Sequence, residues 1–140
     1  MSKKQTVLSL YQGYGRGDLD AVMRLLADDV EWNNHPVENA AQSAGVEVER
    51  HRRGKQEVAG FFEALGGLEM HHFAPVTWLE NDTQVAVVMS LDATAKATGS
   101  RYQDSEIHLW TFGPDGLIVE HRTFNDTAKV IAAAGLSTPG

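Results

Sequence analysis

EIHLWTFGPDGLIVEHRTFND, running from Glu106 to Asp126, is the stretch whose reading decides the fold. Two runs rich in β-branched and aromatic residues, Ile107–Phe112 and Leu117–Phe124, flank Gly113-Pro114-Asp115-Gly116, whose glycines and proline supply turn geometry. The stretch therefore reads as a β-hairpin. Side chains alternate across a strand, so even-numbered residues before the loop share a face with odd-numbered residues after it. This holds whether the loop is Gly113–Gly116 or only Asp115-Gly116. One face carries Glu106, His108 and Trp110 with His121, Thr123 and Asn125, and His108 lies opposite His121 or Thr123 according to the loop. The other carries Ile107, Leu109 and Thr111 with Ile118, Glu120, Arg122 and Phe124. The first face mixes protonatable groups with aromatic ones and reads as a pocket wall. Histidine matters there because small environmental shifts move its charge across neutral pH.

Helical patterns lie upstream of the hairpin. Val7, Leu10, Tyr11 and Tyr14 fall at the i, i+3, i+4, i+7 spacing of a buried helical stripe, which Gly13, Gly15 and Gly17 weaken and end. Asp18 can cap a second helix, in which Leu19, Val22, Met23 and Leu26 repeat the spacing; Val58, Phe61, Phe62 and Leu65 repeat it again before Gly66-Gly67. Val30–Asn34 is a short strand candidate, and Pro36–Arg53 is polar and irregular, a loop of the kind that borders sites. Met70–Leu79 and Val85–Ala97 read as strands joined at Asn81-Asp82. Asp126 can cap a final helix, Thr127–Ala134, ended by Gly135, and a frayed Leu136–Gly140 tail is expected. Asn81-Asp82-Thr83 and Asn125-Asp126-Thr127 match the glycosylation pattern, but they read better as a turn and a helix start. The order is helices, then an antiparallel meander. The expected fold is α+β: a curved, cone-shaped, antiparallel or mixed sheet, three N-terminal helices on its concave face and a short C-terminal helix.

Composition narrows the chemistry. At 140 residues the chain fits a single domain, 1–140, able to bury a core without disulfides or metals. With no cysteine, thiol nucleophiles, disulfides and zinc-thiolate sites are excluded, and a reducing compartment suits the chain. A net charge of -7 repels phosphate backbones and anionic membranes, so neither nucleic acid nor membrane is an expected partner. Lys3 and Lys4 precede only the short apolar run Val7–Leu10, too brief for a signal or a span; a cytoplasmic protein is expected. His71-His72 would point to opposite faces of a strand, and no H-E-x-x-H or comparable ligand spacing occurs, so no metal site is expected.

Tyr11 followed by GRGDLDAVMRLLADDVEW (Gly15–Trp32), RGKQEVAGFFEAL (Arg53–Leu65), HLWTF with DGLIVEHRTFND, and the terminal DTAKVIAAAG occur in a fairly specific order. Across nearly its whole length the chain resembles the SnoaL-like and ketosteroid-isomerase-like proteins of the nuclear-transport-factor-like superfamily. The resemblance implies a homodimer whose sheets pack together, with a pocket on the concave side of each subunit. It places the isomerase general-base aspartate on Asn34, or on His35 if one residue is inserted. The oxyanion-hole tyrosine falls near Tyr11, with Tyr14 the other candidate, and the protonated oxyanion-hole aspartate falls on His108. Polyketide cyclases of the SnoaL type resemble the chain through a histidine at His108 and an HR pair like His121-Arg122, while their acid/base aspartate maps to Thr123.

The candidate catalytic residues are thus His108, Asn34, Tyr11 and His121. Candidate substrate-binding residues are Tyr14, Trp32, His35, Phe62, Met89, Leu91, Glu106, Trp110, Thr123 and Asn125. Trp32 and Asn34 have the same parity on their strand; Met89 and Leu91 share an inward face on the long strand; Glu106 becomes a useful base if burial near His108 raises its pKa. Asp126 reads as a helix cap. Two functions are open. One is a cofactor-independent isomerase, cyclase or dehydratase moving protons next to a carbonyl on an apolar ligand. The other is a non-catalytic module that holds or senses such a ligand.

Overall fold

The computed structural model describes residues 1–137, so the end of the Leu136–Gly140 tail lies outside the described residues. Among the described residues, five helices and six strands occur in the order α1 (Lys3–Gly15), α2 (Leu19–Met23), β1 (Leu26–Trp32), α3 (Ala40–Ala44), a 3-10 turn (Glu47–Glu49), β2 (Arg52–Arg53), α4 (Gly54–Leu65), β3 (Leu68–Glu80), β4 (Gln84–Ala95), β5 (Ser100–Phe112), β6 (Ile118–Phe124) and α5 (Thr127–Ala133). The sheet order is β2-β1-β6-β5-β4-β3; all neighbours are antiparallel except β1 and β6, which run parallel. The mixed α+β architecture, an open curved sheet not closed into a barrel, is the one read from the hydrophobic periodicities.

Local chemistry sets the helix ends. A capping box between Ser2 and Gln5 starts α1, and Asp18 and Asp126 accept hydrogen bonds from Ala21 and Lys129 to cap α2 and α5. Gly13 lets α1 approach α2: an added Cβ would sit 3.2 Å from a Val22 methyl. Asn81 accepts from the backbone N–H groups of Thr83 and Gln84, which makes Asn81-Asp82-Thr83 the tight β3–β4 turn.

Several points differ from the sequence reading, among them the first strand, which runs Leu26–Trp32 rather than Val30–Asn34. Leu26 lies in β1 rather than α2. It is fully buried either way, because the strand leaving the short helix presents it to the same core that a further helical turn would. Pro36–Arg53 is not wholly irregular: Asn39 and Gln42 form a capping box that starts α3, and Arg52 and Arg53 pair with Trp32 and Glu31. Ile118 does not face outward. The β5–β6 ladder pairs Thr111 with Glu120 but Phe112 with Ile118, so Val119 is an extra residue, and this bulge turns Ile118 into the core with no exposure.

The core fills the concave side. β4 alternates without fault, burying Val85, Val87, Met89, Leu91, Ala93 and Ala95, and Trp32, Trp110, Val7, Leu10, Val22 and Val58 meet it from the other elements. A smaller cluster joins Ala41 and Val46 of the 36–53 segment to Val130 and Ile131 of α5. The segment is thereby fixed across one end of the cone.

Candidate functional site

Between the sheet, α1, α4 and the 36–53 segment lies a narrow, open-mouthed cavity of about 70 Å³. Its walls are mostly aromatic and aliphatic: Leu10, Tyr11, Tyr14, Trp32, Phe61, Phe62, Phe73 and Trp110 among them. The polar groups come mainly from the hairpin. The register pairs His108 with Thr123 and Trp110 with His121, which settles the open alternative and brings Glu106, His108, Trp110, His121, Thr123 and Asn125 onto the cavity side.

A directed hydrogen-bond chain runs through this wall. The Trp110 indole N–H donates to the Tyr11 oxygen at 3.1 Å. An indole can only donate. The Tyr11 hydroxyl proton is then available to His108 Nδ1, 2.8 Å away. That assigns the remaining ring proton to Nε2, which donates to a Glu106 carboxylate oxygen at 2.7 Å. Both ring nitrogens of His108 are thus engaged inside the protein, and the chain ends on a carboxylate whose side chain is 12% exposed. Burial pushes the Tyr11 phenol far above its usual range; the Trp110 hydrogen bond opposes this and the Glu106 charge adds to it. Tyr11 is a proton-holding hydroxyl here, not a phenolate.

His121 is a different kind of histidine. Its ring is flanked by Trp32 and Trp110, each with its centroid 4.2 Å away, and Nε2 lies 2.9 Å from the Thr123 hydroxyl. Complete burial, followed by the charges of His108 and His35, holds its pKa well below the ordinary 6.5. It is neutral at physiological pH and packs as an aromatic. Burial also raises the phenols of Tyr14 and Tyr102, with Glu106, Glu49 and Asp104 adding to the shift at Tyr102.

The cavity also receives Glu49, from the 3-10 turn of the covering segment, and this residue is 2% exposed. One carboxyl oxygen accepts from the Asn125 amide, and the other has no partner. Burial raises its pKa to about 7; the Asn125 hydrogen bond opposes the shift, and the nearby charges of Glu106 and Asp104 add to it.

Three candidates fall outside the cavity. Asn33 adopts a left-handed backbone with φ 57°, which breaks the strand alternation after Trp32. Its fully buried side chain accepts from the Thr123 N–H at 2.8 Å and donates to the Val48 carbonyl, fastening the covering segment to β6. Asn34 is consequently exposed, its carbonyl accepting from the Arg122 guanidinium, and His35 packs edge-on against Phe124; both line a separate polar cleft with Glu38, Gln42 and His51. Met89 faces inward but is covered by core, at 1% exposure. Tyr11, Tyr14, Trp32, Phe62, Leu91, Glu106, His108, Trp110, His121, Thr123 and Asn125 do line the cavity. The sequence reading passed over Val48, Glu49, Phe61, Phe73 and Tyr102. Tyr102 shares the even parity of Glu106 and His108, so extending β5 backward would have found it; nothing local marks Glu49. Among the described residues, no three His, Asp or Glu side chains converge as a metal site, and no helix is long and apolar enough to cross a membrane.

An open α+β cone with a hydrogen-bonded polar wall inside an aromatic cavity defines the class. The chain belongs to the SnoaL-like domain family, whose model matches residues 7–121. Among solved structures it is similar to an NTF2-like protein of unknown function from Burkholderia pseudomallei, at 28% identity, covering 95% of this chain and 98% of that one with a TM-score of 0.80. It is also similar in fold to TerC co-crystallised with polyporic acid, at 20% identity, 95% and 98% coverage and a TM-score of 0.75. A Pseudomonas putida protein provisionally named a polyketide cyclase shares the fold at 17% identity, 95% and 98% coverage and a TM-score of 0.74. No curated protein matches.

Proposed function

We propose that the protein is a cofactor-independent enzyme of isomerase, cyclase or dehydratase type that moves a proton next to a carbonyl on an apolar substrate. The observation that carries this reading is the chain from Trp110 through Tyr11 and His108 to Glu106, ending on a carboxylate inside an aromatic cavity. Glu106 is the base. His108 orients it through the Nε2–H···O hydrogen bond, and Tyr11 fixes the histidine tautomer. The polyketide cyclase names among the structural neighbours accord with such chemistry.

Exchange of the α-hydrogens of 2-tetralone, a flat enolisable ketone, in deuterated water tests the proposal. The wild type is expected to accelerate exchange, and Glu106→Gln to slow it by about 100-fold, the usual scale of a general base. Folded wild-type protein that binds the ketone without exchanging it would favour the second reading, a ligand-holding module. That reading draws on the engagement of both His108 nitrogens within the protein and on Thr123 and Asn34, the positions where the family resemblance puts acidic residues.

We further propose a homodimer formed through the outer sheet face, for a soluble protein of the cytoplasm. Leu79, Ile107 and Phe124 are 64%, 43% and 45% exposed there, and the ladders place them in one patch with Ala86, Val88 and Leu109. Sedimentation should give a dimer for the wild type and a monomer for Ile107→Lys; a wild-type monomer at tens of micromolar, roughly the range of weak dimers, would remove the proposal.

A further inference from the structure

Among the described residues, Glu49 is the one cavity carboxyl that the chain of Trp110, Tyr11, His108 and Glu106 leaves unused. Buried carboxylates ordinarily find a cation or several N–H donors. Glu49 has neither: one oxygen takes the Asn125 amide, the other is unpartnered, and no lysine or arginine lines the cavity among the described residues. Its backbone is held in place, with the Glu49 N–H bonded to the Val46 carbonyl and its own carbonyl accepting from Gln42 Nε2 at 3.0 Å. The side chain is therefore presented from a fixed turn into the cavity that Glu106 also lines. The charged or titratable groups around it are Glu106, Asp104 and Tyr102 of β5, together with the two histidines of the cavity wall.

We propose that Glu49 is a second catalytic carboxyl, the proton donor to the substrate's carbonyl oxygen while Glu106 removes the α-proton, and that the substrate is an uncharged enolisable ketone. This rests on the proton-transfer reading above. An anionic substrate would face two carboxyl groups with no cation among them. In the step itself, the Glu106 carboxylate takes the α-hydrogen, and the C–H electron pair becomes the C=C bond. The carbonyl π pair takes the Glu49 proton to form the enol O–H. Glu106 is left protonated and Glu49 ionised. Once the Glu106 proton has been replaced by a solvent deuteron, its return to the same carbon gives exchange, and delivery to a conjugated carbon gives isomerisation; the enol proton passes back to Glu49 and both groups are restored. Burial and two neighbouring carboxylates keep Glu49 protonated up to about pH 7, so the donor is loaded under ordinary conditions.

The experiment follows 2-tetralone exchange against pH in wild type, Glu106→Gln and Glu49→Gln. A required donor gives a rate that falls as pH rises past neutrality, and Glu49→Gln, which keeps the shape but carries no transferable proton, removes that limb and lowers the plateau about 100-fold. Infrared difference spectra of the wild type should show a protonated-carboxyl stretch at pH 6, roughly one unit below the midpoint, that Glu49→Gln lacks. Exchange that needs Glu106 but survives Glu49→Gln with its pH profile unchanged overturns the assignment and leaves the proton-transfer reading standing. Absence of the stretch in the wild type overturns it directly, without reliance on any variant's folding. No exchange by wild type, or exchange indifferent to Glu106→Gln, overturns the proton-transfer reading itself and the Glu49 role with it.

Discussion

Trp110→Ala is expected to lower the free energy of unfolding by about 3–5 kcal/mol, the range for removing a large aromatic from a packed core. Trp110 is 1% exposed, with ring centroids 4.2 Å from His121, 5.7 Å from Trp32 and 5.9 Å from Tyr11. Truncation removes one of the two tryptophan faces that keep His121 dry, and it strips the Tyr11 oxygen of its donor. Lost transfer energy, an unfilled void and a less satisfied hydroxyl therefore add. Urea unfolding followed by circular dichroism measures the change, with the midpoint moving at roughly constant slope if the loss is one of native stability. A change below about 1 kcal/mol would mean that the cavity wall repacks freely and that the tryptophan is not what holds the cone's shape.

Glu49→Gln is expected to stabilise the protein, and more so as pH rises. A carboxyl whose pKa goes from 4.5 to about 7 on folding binds its proton more tightly in the native state. Its contribution is fully favourable below pH 4.5 and is lost as pH rises through about 7. The interval corresponds to about 3 kcal/mol at 1.36 kcal/mol per unit. His121 works in the other direction: its pKa is depressed on folding, so its contribution is present above 6.5 and is lost as the solution is acidified. Wild-type stability alone therefore mixes two opposed slopes. The difference between Glu49→Gln and wild type isolates Glu49; it should be small near pH 5 and reach about 3 kcal/mol near pH 8. A difference that does not grow with pH would show that Glu49 ionises as freely in the fold as in the open chain. The same substitution would then stabilise the protein while removing the proposed proton donor, an exchange of activity for stability common at buried catalytic groups.

The fold was legible wherever one periodicity ruled a whole element. Strict alternation along β4 and the helical stripes of α1 and α4 each have one burial solution, so pattern and structure agree. Agreement failed where a single backbone event interrupts the period. The left-handed Asn33 ended the alternation that would have carried Asn34 into the cavity, and the bulge at Val119 turned Ile118 from the outer face to the core. Both events depend on distant partners: the side chain of Asn33 on the Thr123 N–H, and the bulge on Leu26 pairing with Ile118 in the parallel ladder.

By itself, the sequence determined the α+β cone, the hairpin and the set of polar residues on its inner face, because side-chain alternation is a local property of a strand and needs no knowledge of what lies opposite. Only the tertiary structure decided what those residues do to one another. Tyr11 and His108 stand 97 positions apart, as do Trp110 and Tyr11 at 99, and Glu49 meets Asn125 across 76. Hydrogen bonding, desolvation and mutual charge act over a few ångströms of space irrespective of separation along the chain. His108 thus became the centre of a relay rather than a free acid, His121 a neutral ring between two tryptophans, and Glu49 a buried carboxyl in the cavity that Glu106 also lines.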